Sequence, residues 1–99
     1  VARVDAGPVY PAGLPAAAYG AIKRNHWERQ QAQGRLRECI AWWAGYQRSR
    51  GRSDSESYKR FFFAFGVDVA TAQTLNKADA EALATRVAAR LAADGVSMT

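Results

Sequence analysis

The chain has 99 residues, one cysteine, and 14 Lys or Arg against 9 Asp or Glu, for a formal charge of +5. That length allows one modest core and no second domain, and a hydrophobic fraction of 48% excludes global disorder. No apolar run approaches the roughly 18–20 residues of a membrane span, and a lone thiol excludes an internal disulfide and points to a reducing cytoplasm.

Residues 1–15 read as a Pro/Gly-rich linker. Gly7, Pro8, Pro11, Gly13 and Pro15 keep the backbone extended or turning. Tyr10 and Leu14 are its candidate anchors. The chain opens without an initiator Met or a signal-peptide pattern, so a piece of a longer protein is expected. The single domain is expected over 16–95, with a frayed tail at 96–99.

Pro15 suits the first position of a helix, where its missing N–H costs nothing. Residues 16–33 are predicted helical, with Tyr19 and Ile22 as the apolar contacts. The charged run from Lys23 to Gln31, Trp27 apart, should be solvated. Gly34 is expected to break the chain there, because glycine is a poor interior helix residue. A second helix is predicted over 35–50. Leu36, Ile40, Trp43 and Ala44 recur on one helical face, and Cys39, Trp42 and Tyr46 widen it.

Ser53 and Glu56 form a capping-box pattern, and Gly66 sits where a left-handed stop belongs. A helix is therefore predicted over 54–65, with Tyr58, Phe61, Phe62 and Phe65 facing inward. Asp68 caps a short helix at 69–75. Asn76 starts the last helix, 77–93, whose stripe is Ala80, Leu83, Ala84, Val87 and Leu91. No segment alternates with period two, so no sheet is expected. The fold class is all-α: a small bundle of about four helices plus one short helix. The predicted core holds Leu36, Ile40, Trp43, Tyr58, Phe61, Phe62, Phe65, Leu75, Leu83 and Val87.

The chemistry of catalysis is thin. His26 and Cys39 are the only imidazole and thiol, and a structural zinc needs about four such ligands. Cys39 reads as a small buried hydrophobe. No Gly-rich loop leads into Lys-Ser or Lys-Thr. Asp54 and Glu56 read as helix-start residues, not an acid–base pair. No cofactor, metal site or enzyme activity is expected of this chain by itself.

Charge is where the sequence speaks. Residues 1–60 hold eleven Lys or Arg and five acids, +6; residues 61–99 hold three and four, −1; together they make the +5 of the whole. A localised Arg excess attracts polyanions, nucleic acid foremost. Arg48, Arg50 and Arg52 crowd a Gly51 turn, and Lys59 and Arg60 project from the first turns of the next helix. These five are expected to form one phosphate-contacting surface, since guanidinium forks match phosphate geometry. Lys23 and Arg24 flank Trp27, which could stack on a base while they hold its backbone, or fold back onto the core. Residues 69–90 can also be threaded as helix-turn-helix, but acids at the start of the second helix oppose major-groove entry.

Ile40-Ala41-Trp42-Trp43-Ala44-Gly45-Tyr46, then Arg48-Ser49-Arg50-Gly51, Ser57-Tyr58-Lys59-Arg60-Phe61-Phe62 and Phe65-Gly66-Val67 together resemble the C-terminal tail of phage and bacterial superfamily II DEAD/DEAH-box DNA helicases. The resemblance covers about a third of the chain. It implies an accessory module following the motor domains, without ATPase activity, that helps hold DNA or a partner. The Walker motifs and zinc-ligand cysteines found in many such helicases are absent.

Two functions follow as expectations. One is a non-catalytic, DNA-binding accessory module of a larger helicase-like protein. The other is a protein–protein module that docks a replication or helicase partner through apolar surface. An exposed aromatic patch favours the second; a covered core with converging Arg side chains favours the first.

Overall fold

A computed structural model describes Gly13 and residues 15–98. It contains four helices: α1 (Ala16–Ser49), α2 (Asp54–Phe65), α3 (Val69–Ala72) and α4 (Lys77–Ala93). Among the described residues there is no strand, and the fold is a small all-α bundle. Most of the expected linker, including Tyr10 and Leu14, lies outside the described residues, as does Thr99.

The first two predicted helices are one. α1 runs 34 residues without a break, about 51 Å at helical rise. Gly34 stays helical because its neighbours are fixed from outside. Ala32, Gln33 and Leu36 are all buried, and their packing outweighs the roughly 1 kcal/mol penalty of an interior glycine. The buried residues Gln33, Leu36, Ile40, Trp43 and Gln47 alternate steps of three and four. So do Ala80, Ala84, Val87 and Leu91 of α4. That spacing gives each helix one narrow seam.

The two seams pack together, and the helices run parallel. Lys77, at the start of α4, pairs with Glu28 at 3.0 Å, while Arg90 and Asp94, at its end, share a groove with Gln47 and Arg50. Small Ala80 and Ala84, both fully buried, allow close approach. The chain returns between them through α2 and α3.

α2 begins and ends as expected. The Ser53 hydroxyl accepts from the Glu56 N–H, the Glu56 carboxylate accepts from the Ser53 N–H, and Gly66 closes the helix at φ 75°. Its inward face differs from the prediction. Ser57, Phe61 and Phe65 are buried, whereas Tyr58 and Phe62 are each 47% exposed and do not belong to the core. The reason is an anchor the pattern does not reveal. Trp43 Nε1 donates to the Ser57 carbonyl at 3.0 Å, and the Trp43 ring meets Phe61 and Phe65 edge-on. This fixes the rotation of α2 and turns Tyr58 and Phe62 to the rim.

α3 is shorter than the predicted 69–75, ending at Ala72. The turn after it is held from α1. Gln33 Nε2 donates to the carbonyls of Ala72 and Leu75, and Arg29 donates to those of Thr74 and Leu75. Leu75 is only partly buried. With one turn in α3 and its exit clamped, the helix-turn-helix threading does not form. Beyond α4, the Val96 N–H bonds the Leu91 carbonyl. Val96 and Met98 pack against the core, so the expected frayed tail is folded back over part of its length.

Candidate nucleic-acid interface

The junction of α1, α2 and the end of α4 encloses an open groove of about 660 Å³. Gly51 makes the turn that builds it, at φ 79°, a backbone state reserved largely for glycine. Arg50, Arg52, Lys59 and Arg60 all line the groove, as the sequence suggested, and Arg90 joins them. Two acids share the lining, Glu56 and Asp94, leaving five cations against two anions, or +3.

Both acids are already engaged. Glu56 is held by the Ser53 N–H and hydroxyl in the capping box, and Asp94 pairs with Arg90 at 3.4 Å. Arg52 is committed too, donating to Oε1 of buried Gln47 at 2.8 Å. No side-chain hydrogen bond or ion pair engages Arg50, Lys59 or Arg60 within the described residues. They are the cations most available to an anion.

Arg48 stands apart from the other junction residues. It does not line the groove; its Nε donates to Asp54 at 3.0 Å. That hydrogen bond, with the carboxylate's charge, holds the guanidinium still more firmly protonated than usual. The pair ties the end of α1 to the first turn of α2, though both side chains are largely exposed and such pairs stabilise little.

Lys23, Arg24 and Trp27 lie elsewhere. They sit on the part of α1 that precedes its first buried residue, Ala32. Trp27 and Arg48 are 21 positions apart on one continuous helix, about 32 Å at helical rise. One compact ligand cannot touch both. Trp27 does not fold onto the core; it is 52% exposed and meets His26 edge-on at 5.6 Å. Arg29, counted in the basic excess, has a structural task at the α3 exit.

Two groove residues escape sequence reasoning. Arg90 is remote from the junction in the chain, and only the parallel course of α4 brings it there. Phe63 lines the groove and is 80% exposed. Its signal was present: it lies four residues after Lys59 and three after Arg60, the spacings that share a helix face.

Elsewhere, a second, largely apolar groove of about 440 Å³ runs between Trp42, Tyr46 and Val96. Cys39 is buried, and burial pushes its thiol pKa up, away from nucleophilic use. Among the described residues, no group of three His, Cys, Asp or Glu could hold a metal ion, and no helix is long and apolar enough to cross a membrane. Compared with known proteins, the chain matches no family model, no curated protein and no solved structure.

Proposed function

We propose that this chain is a non-catalytic module that holds a nucleic-acid backbone, DNA by preference, in the basic groove at the α1–α2–α4 junction. The observation that carries this reading is the convergence of Arg50, Arg52, Lys59, Arg60 and Arg90 on one concavity whose two acids are already engaged. A cationic groove with its anions internally satisfied attracts a polyanion without regard to sequence. The resemblance of residues 40–67 to helicase tails supports the further reading that the module assists the motor of a helicase-like parent. A buried, unpaired Cys39 suits a reducing cytoplasm.

A salt titration tests the reading. Arg50 and Arg60 are exposed, so the variant R50A/R60A folds as the wild type does. Each lost phosphate contact removes roughly 0.7–0.9 from the slope of log affinity against log salt. The double variant should flatten that slope by about 1.4–1.8 for any oligonucleotide. Superimposable titrations of the two proteins would remove the groove from consideration.

A second reading rests on its own observation. Tyr58 and Phe62 form an exposed aromatic edge on α2, and such edges also dock protein partners. Wild-type protein that binds no nucleic acid even at low salt would favour that reading.

A further inference from the structure

We infer that the groove takes a single strand rather than a duplex, and that Phe63 is the residue on which a base stacks. This rests on the nucleic-acid reading above and gives it a strand preference.

Phe63 is the most exposed large apolar side chain among the described residues, at 80%. It stands on the groove wall with Lys59 and Arg60, one helical turn before it, on the same lining. Arg50 faces the same space from the end of α1. Phe62 extends the aromatic surface outward, its ring 5.8 Å from that of Phe63 and tilted by 57°.

An apolar ring set among unpaired cations asks for an unusual ligand. A protein partner would have to bring acids and an apolar surface to the same spot. A single strand carries both on every nucleotide, as a phosphate and a flat π-face. A duplex keeps its base faces inside the stack and offers only edges in its grooves. Against a duplex the Phe63 ring would meet sugar and phosphate and gain little. Against a single strand it gains a stacked base while its neighbours hold the backbone.

The test is fluorescence anisotropy with the full chain. One probe is a labelled oligothymidylate of about 16 nucleotides, the upper end of single-strand site sizes. The other is a hairpin duplex with the same number of phosphates. Stacking on one base predicts that F63A weakens single-strand binding roughly 5- to 140-fold. Duplex affinity and the salt slope should stay unchanged, since neither depends on stacking. F63W should retain single-strand affinity, because its ring still stacks. Equal single-strand affinity for F63A and wild type would overturn the stacking inference while leaving the groove reading intact. Equal losses on both probes would overturn the strand preference. Failure of the wild type to bind either probe would remove the groove reading and the inference with it.

Discussion

The inner and outer faces of α2 both carry phenylalanines, and these have opposite fates. Phe61 and Phe65 are buried against Trp43, while Phe62 is half exposed and Phe63 almost fully so. Four aromatic residues between 61 and 65 cannot all face one way on a helix turning 3.6 residues per turn. Hydrophobicity thus sets how much of α2 wants cover, not which side receives it. The side is chosen by a polar contact, the indole N–H of Trp43 on the Ser57 carbonyl. What that choice leaves outside is an aromatic edge next to Lys59 and Arg60, where a ligand can use it.

The sharpest way to break this comparison is to truncate one ring on each face. F61A should destabilise the domain by about 3–5 kcal/mol, the usual cost of emptying a buried aromatic site. F62A should cost only about 1 kcal/mol, since half of that ring already faces water. Chemical denaturation of both variants reads the difference; equal losses would mean that the two faces are energetically alike.

The next largest effect concerns what sets the rotation of α2. Trp43→Phe keeps an aromatic ring but removes the donor to Ser57. A net loss of about 1–3 kcal/mol is expected, from one buried hydrogen bond and the volume of the missing ring. If the anchor holds the register, the mutation should also change the accessibility of Tyr58. Chemical modification of Tyr58, located by peptide mass spectrometry in wild type and variant, would follow it; an unmoved Tyr58 would put the register down to Phe61 and Phe65 alone.

The smallest expected effect is a pH dependence confined to the neighbouring turn. The Thr71 N–H, as a backbone hydrogen bond, holds the Asp68 carboxyl below its ordinary pKa. A lowered carboxylate pKa contributes stability at pH above the unfolded value, about 3.9, that is lost as pH falls through the folded one. The α3 turn should therefore loosen below about pH 4, while the buried faces of α2 and α4, lined by apolar groups, stay packed. Amide exchange at Thr71 and Ala72 compared with Phe61 and Leu83 would show it. Uniform acceleration at all four would contradict a local effect.

Much of this fold was legible in the sequence, because caps and stripes are local. Ser53 with Glu56, Gly66, Asp68 and Asn76 each mark a boundary that the chain obeys. The failures share one cause. Gly34 stays helical, and Tyr58 and Phe62 turn outward, because contacts from another helix decide the outcome. The basic groove was half legible. Arg50, Arg52, Lys59 and Arg60 are close in sequence and stay close in space, whereas Arg90 arrives by topology. Arg48 was expected with them but is drawn off by Asp54, a partner no spacing rule singles out.

The unbroken course of α1 also makes this helix a ruler with one end clamped. Its second half is fixed by α4, and Glu28 and Arg29 are tied to the α3–α4 turn, but residues 16–31 contribute no buried side chain. Continuation from a formed helix avoids the nucleation penalty that an isolated segment faces. Before Glu28, the distance from the groove toward the start of α1 is therefore set by helical rise and not by buried packing.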